Sequence, residues 1–161
     1  MFPQWFKYRN SFRGLNIALL VMESVSLAFN DLFFILYLIF LAAYSDLERA
    51  NLDSLIMTNF VLLVMTLIVN ALLLGLFIHN QKRLKEEPAQ LLTKPVSSLA
   101  YCLGFLPLIQ VLLAFWLQSG FMSQLFALLF RLAFSILCII ALVSRHNLLQ
   151  ALKTSAEAAY K

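Results

Sequence analysis

Four long apolar runs, separated by short polar segments, dominate the chain. They cover residues 14–44, 54–78, 96–118 and 121–144. A helix needs about 20 consecutive apolar residues to cross the hydrocarbon core of a bilayer, which is about 30 Å thick. Each run is long enough for one crossing and too short for two. The pattern predicts an all-α integral membrane protein, folded as a bundle of four transmembrane helices in one domain, 1–161.

The ends of the runs predict the boundaries of this bundle. We expect spans at about 20–44, 54–78, 96–118 and 121–144. The first run is over-long, so its beginning is expected to form a surface elbow after residues 1–13. Those residues mix aromatic side chains with cations, as interfacial segments do. Residues 79–95 form a polar loop, and the tail 145–161 is predicted to be an amphipathic helix. Pro107 is expected to kink the third span.

Lysine and arginine are distributed unequally among the polar segments. Three lie before the first run, four in the loop 79–95 and three in the tail, whereas the other two connections hold only Arg49. Positive charge marks the cytoplasmic side of short loops, so both termini and the middle loop are expected to be cytoplasmic. The topology and the absence of glycosylation sequons favour a bacterial inner membrane, and an organellar membrane would give a similar pattern. The basic face would dock a soluble partner or anionic lipid.

Composition agrees with a membrane protein and excludes other classes. Hydrophobic residues make up 62% of the chain and charged residues 12%, against about 45–50% and about 25% in soluble domains. The net charge of +4 comes from cations that flank the apolar runs. A nucleic-acid-binding protein would instead gather them in one patch, so no nucleic acid is expected as a partner. Cys102 and Cys138 lie inside apolar runs without a CxxC motif, which disfavours a thiol oxidoreductase.

Three charged residues fall within the apolar runs, namely Glu23, Asp31 and Arg131. A charge at mid-membrane costs about 2.5–3.5 kcal/mol on insertion scales, so such residues face the protein interior or a wet cavity. Polar residues recur at helical spacing on the first, second and fourth runs, which predicts inward-facing stripes, and Gln110 lies near the middle of the third. The intramembrane candidates for an ion pair or a proton relay are therefore Glu23, Asn30, Asp31, Asn70, Gln110 and Arg131.

The acid that would pair with Arg131 is left open by the sequence. Asp31 lies about 4–5 Å from the centre of a span at residues 24–44, so its depth roughly matches that of Arg131. Side chains lean toward a helix N-terminus, and these two helices run in opposite senses, so the two side chains lean apart. Glu23 and an acid of a partner protein are the alternatives to Asp31.

The polar residues admit three functions. They can hold the helices in register, carry protons or a substrate through Asp31 or Glu23, or recognise a partner helix. We therefore expect a non-catalytic subunit or accessory protein of a larger inner-membrane complex, in contact with lipid and other membrane subunits. The alternative is a small oligomeric transporter or proton-conducting protein that uses Asp31 (or Glu23) with Arg131.

Enzymatic function is expected only as a remote third alternative, a lipid- or quinone-linked membrane enzyme. The chain has no HExxH, no GxSxG and no glycine-rich phosphate loop. His79 and His146 end two spans on the same side and are the candidate ligands of a haem. Both lie at the water boundary among charged residues, where a haem would be poorly enclosed. No cofactor and no metal site are expected.

Overall fold

The computed structural model describes residues 4–44, 53–117 and 121–159, and in them the protein is all-α. Three of its helices are long and apolar enough to cross a membrane: their qualifying segments are Gln4–Ala42, Asn59–Arg83 and Leu125–Ala158. In chain order the helices are α1 (Gln4–Tyr44), α2 (Asp53–Arg83), α3 (Pro88–Thr93), α4 (Leu99–Leu103), α5 (Leu106–Leu117) and α6 (Phe121–Ala159).

Helix α1 is continuous, and the elbow expected near its beginning is not present. Its 41 residues give a length of about 60 Å at 1.5 Å per residue. The reason for the continuity is a buried stripe that runs through the expected elbow: Phe12, Asn16, Leu19 and Glu23 are all fully buried. Their spacing of four, three and four keeps them on one helical face. This face packs against α2 and α6, so a bend there would remove the packing.

The third apolar run is divided between α4 and α5, with a break at Gly104 and Phe105. Pro107 is the second residue of α5. A proline has no N–H to donate and its ring clashes with the carbonyl one turn back, so a helix cannot pass unbroken through residues 103–107. The Gly104 N–H closes α4 with a 3.0 Å hydrogen bond to the Ala100 carbonyl, and the Phe105 N–H donates to the Cys102 carbonyl at 3.4 Å. The kink expected at Pro107 is therefore, in the structure, a break between two helices.

One end of the bundle holds the start of α1, the connection 84–98 and the end of α6; we call it the basal end, and the opposite end distal. The Arg9 side chain donates to the carbonyls of Leu84, at 2.6 Å, and Glu86, at 2.7 Å. Arg145 of α6 donates to the Val96 carbonyl at 2.6 Å. The connection 84–98, which includes most of the expected polar loop, thus contains α3 and is hydrogen-bonded to α1 and α6.

The hydrophobic core lies in the basal half of the bundle. At its centre the Tyr101 ring is 5.6 Å from the ring of Phe12 and 5.7 Å from that of Phe77, and Phe77 lies 6.0 Å from Phe134. This aromatic cluster joins α1, α2, α4 and α6. The predicted tail is helical, and Leu148 and Leu152, which lie one turn apart, are buried.

Packing changes at one level of the bundle. Among the described residues of α1, α2 and α6, every buried position lies at, or basal to, Glu23, Asn70 and Arg131. Distal to that level, the positions of these helices whose burial is described are all half-buried or exposed. The three residues that mark this level are also the polar residues that the sequence singles out.

Candidate functional site

An ion pair joins α1 and α6 at this level. The Arg131 Nη1 donates to Glu23 Oε2 at 3.1 Å, and both side chains are buried. The other terminal nitrogen, Nη2, donates to Asn70 Oδ1 of α2 at 3.2 Å and to the hydroxyl of Ser26. The Asn70 amide nitrogen lies 3.4 Å from the same hydroxyl. One guanidinium therefore links three helices.

The local sequence explains this geometry. Glu23 and Ser26 are three residues apart and so share a face of α1, and that face continues the buried stripe described above. Arginine suits the central position because its planar fork offers several donors in fixed directions and stays charged. The rings of Phe130 and Phe134 lie 6.0 and 5.8 Å from the Arg131 Cζ, a range at which a cation is attracted to an aromatic ring.

The ion pair lies deep in the apolar part of the bundle. Along their own helices, Glu23 is ten residues from Arg13, Asn70 twelve from Lys82 and Arg131 fourteen from Arg145. At 1.5 Å per residue these separations are about 15 to 21 Å, which is close to half of a 30 Å hydrocarbon layer. Opposite charges in such a medium attract strongly, and each would be costly without the other.

Asp31 is not the acid that pairs with Arg131. It lies eight residues beyond Glu23, which is about 12 Å farther along α1 and about 80° around the helix. Its side chain is exposed on the flank of α1, and it makes no ion pair with any described residue. The face of α1 that packs against α2 and α6 carries Glu23, whereas Asp31 lies off that face.

The remaining intramembrane candidates divide into two groups. Asn70 belongs to the buried network around Arg131. Asn30 and Gln110 line a cavity of about 920 Å³ in the distal half, which we call the distal cavity. Its polar lining consists of Ser26, Asn30, Tyr37, Asn59, Thr66 and Gln110, with Arg131. Because Arg131 belongs to both groups, the ion-pair network forms the basal floor of the cavity.

His79 and His146, the candidate haem ligands, are both exposed. They lie outside the buried faces of α2 and α6, so neither side chain points into the core. Within the described residues no group of three or more His, Cys, Asp or Glu side chains is arranged to hold a metal ion. The functional candidates that the structure brings together are therefore the network and the distal cavity.

A second buried polar cluster was not predicted from the sequence. The Asn16 amide donates to the Phe77 carbonyl and to Gln81 Oε1, both at 3.0 Å, and its oxygen accepts from the Tyr101 hydroxyl at 2.7 Å. Asn80, on α2, makes two hydrogen bonds with the backbone of Ser97. Asn16 stands seven residues before Glu23, so the helical spacing could have identified it. Tyr101 carries no comparable signal.

Comparison with known proteins gives no relative from which a function could be carried over. No family model, no curated protein and no solved structure matches the chain.

Proposed function

We propose that this chain is a non-catalytic multi-pass subunit or accessory protein of a larger inner-membrane assembly. In this proposal α1, α2, the α4–α5 pair and α6 make four crossings, with both termini cytoplasmic. The observation that carries the proposal is the exposed carboxyl of Asp31. It faces outward from a helix that is itself apolar and long enough to span.

The surroundings of Asp31 are those of a lipid-facing helix. It lies thirteen residues before the end of α1 at Tyr44, which is about 20 Å along the axis. The neighbouring side chains Leu32 and Ile35 are 52% and 55% exposed. A carboxylate among such side chains costs about 2.5–3.5 kcal/mol when it faces lipid. A partner helix that covers Asp31 would remove much of this cost.

The chemistry of Asp31 defines what the partner must offer. A carboxylate is stabilised in a membrane by a cation or by hydrogen-bond donors on a neighbouring helix. The apolar runs of this chain hold one cation, Arg131, and that cation is buried against Glu23. A second copy of the chain therefore has no intramembrane cation to give, and the proposed partner is a different polypeptide with a cationic transmembrane helix.

The ion pair supports a structural role for the other two charges. Glu23 Oε2 accepts from Arg131, while the buried Oε1 accepts no hydrogen bond from the described residues, and Ser26 and Asn70 complete the coordination of the guanidinium. Polar contacts of this kind contribute about 0.6–2 kcal/mol each between transmembrane helices. In this proposal the contacts of Arg131 with Glu23, Ser26 and Asn70 hold α1, α2 and α6 in register. Asp31, which is outside this network, recognises the partner helix.

The test is to purify the tagged protein from its own membranes in mild detergent and to quantify co-purifying proteins by mass spectrometry. The wild type should retain a stoichiometric membrane partner, and Asp31→Asn should lose most of it. The matched control is the exchange Asp31→Leu with Leu32→Asp, which keeps the composition and moves the carboxyl about 100° around the helix. It should also lose the partner. A wild type that purifies alone, or variants that keep the partner, would overturn the proposal.

The distal cavity favours a second candidate, a small transporter or proton-conducting protein. It reaches from the distal half of the bundle to Arg131, which four crossings of the membrane would put close to mid-membrane. Because Glu23 is engaged by Arg131, the proton-carrying group would be Asp31, which lies on the outer flank of α1 beside the cavity lining and not within it. Flux into proteoliposomes measures this directly. A loss of proton- or substrate-coupled flux in Asp31→Asn, with assembly intact, would favour transport over the subunit proposal.

A further inference from the structure

The distal cavity is a half-open recess that is large enough for a small molecule and is lined mainly by apolar side chains. Its volume of about 920 Å³ falls within the range of about 300–1,000 Å³ that is usual for ligand sites. The rings of Phe29, Phe33, Phe126 and Phe130 contribute to the walls. Such a lining accepts an apolar body, and polar groups at a few positions would orient it.

One of those polar groups lacks a partner. The side-chain oxygen Oε1 of Gln110 is buried and accepts no hydrogen bond from the described residues. A buried acceptor without a donor costs about 1–3 kcal/mol. Gln110 lines the cavity, and a rotation of its side chain would turn this oxygen toward a ligand whose hydroxyl or N–H supplies the missing donor. The Asn30 amide, also in the lining, offers a further hydrogen-bonding group.

The charge at the floor of the cavity selects against an anion. Arg131 is the charged residue in the lining, and Glu23 balances its charge at 3.1 Å. Its Nη2 is further occupied by Ser26 and Asn70. An anionic ligand would enter an apolar cavity where the charge of Arg131 is already neutralised by Glu23. Burying the ligand's charge there would be costly.

We infer that the distal cavity is a binding site for an uncharged, lipid-like amphipathic molecule that carries a hydroxyl or N–H donor. The donor binds Gln110, and the apolar body lies against the phenylalanine rings. This site goes beyond the proposed subunit function and is independent of it, because Asp31 does not belong to the cavity lining.

The test uses three photoreactive probes with one alkyl diazirine chain: an alcohol, its methyl ether and the corresponding carboxylate. The purified protein is labelled in nanodiscs of zwitterionic lipid, and the labelled residues are mapped by mass spectrometry. Labelling of the cavity by the alcohol should be saturable. It should exceed labelling by the ether by about three- to tenfold, which is the difference in affinity that one hydrogen bond gives. It should also exceed labelling by the carboxylate.

Two variants and a matched control locate the site. Gln110→Leu should abolish the preference for the alcohol over the ether. Ala127→Phe, which fills the cavity from α6, should abolish saturable labelling by all three probes. The control Ala133→Phe makes the same change at an exposed position of the same helix and should label as the wild type does.

Several results would overturn the inference. One is labelling that never saturates, or that is equal in Ala127→Phe and Ala133→Phe. Another is a preference for the carboxylate. A third is labelling of the purified protein that disappears in native membranes and is replaced by protein cross-links, because a partner helix would then occupy the cavity.

Discussion

The buried pair of Glu23 and Arg131 predicts a strong and characteristic coupling between two substitutions. Arg131→Leu leaves the Glu23 carboxylate, which has no exposed surface, without its cation. Glu23→Leu leaves the guanidinium with only the neutral acceptors Ser26 and Asn70. Removing one partner of a buried ion pair costs about 3–5 kcal/mol, because the remaining charge is then uncompensated. Each single variant should lose about that much free energy of unfolding.

The double variant should behave differently. With both charges replaced by leucine, no buried charge remains, and such replacements are often neutral or stabilising. The remaining loss comes from the contacts of Arg131 with Ser26 and Asn70, at about 0.6–2 kcal/mol each. The double variant should therefore be more stable than the sum of the two single losses implies, and the coupling energy of the cycle should be at least about 2 kcal/mol.

The assay is reversible unfolding in mixed micelles, followed by far-UV circular dichroism while the fraction of denaturing detergent is raised. Wild type, both single variants and the double variant are measured under the same conditions. If the stability lost by the double variant equals the sum of the two single losses, Glu23 and Arg131 do not interact. The hydrogen-bond network around Arg131 is then refuted. A loss of stability in only one of the two single variants would also contradict the ion pair of Glu23 and Arg131.

Two further predictions concern packing in the basal half, and both use the same unfolding assay. Gly104→Ala should destabilise the protein by about 1–3 kcal/mol, because an added Cβ would lie 2.5 Å from the Cys138 sulfur, and Cys138→Ala should restore most of the loss. Gly75→Ala, where an added Cβ meets nothing within 4 Å, should instead be neutral or stabilising by up to about 1 kcal/mol; equal effects at the two glycines would contradict the packing at Gly104. Tyr101→Phe removes the donor to Asn16 and should cost about 1–3 kcal/mol, and no measurable loss would show that this hydrogen bond is not formed.

Much of the fold follows from hydrophobic pattern alone. The length of the apolar runs predicts long helices, and Pro107 predicts an interruption of the third run, because a helix cannot donate a hydrogen bond from a proline. The pattern does not predict that α1 continues through residues 4–23. Aromatics and cations at a chain start are typical of an interface, and only the tertiary packing of the buried stripe shows that these residues belong to the bundle.

The candidate site was predicted as a set of residues but not as a geometry. A charge in an apolar run is identifiable from sequence because it is costly there, which selects Glu23, Asp31 and Arg131. Which acid meets Arg131 depends on the depth and rotation of α1, and those depend on contacts with α2 and α6. A shift of eight residues along the helix separates a buried partner from an exposed one. The distal cavity has no sequence signature, because it results from incomplete packing of four elements.

The most direct test of the proposed assembly is site-specific photo-cross-linking in native membranes from the flank of α1 that carries Asp31. A benzophenone side chain at Ile35 lies one turn beyond Asp31 on the same flank, and one at Leu36, about 140° around the helix from Asp31, is the control. Both positions are exposed, at 55% and 51%. The proposal predicts a discrete adduct with another polypeptide from Ile35, none from Leu36, and loss of the Ile35 adduct in Asp31→Asn. Cross-links to lipid alone from both positions would contradict it.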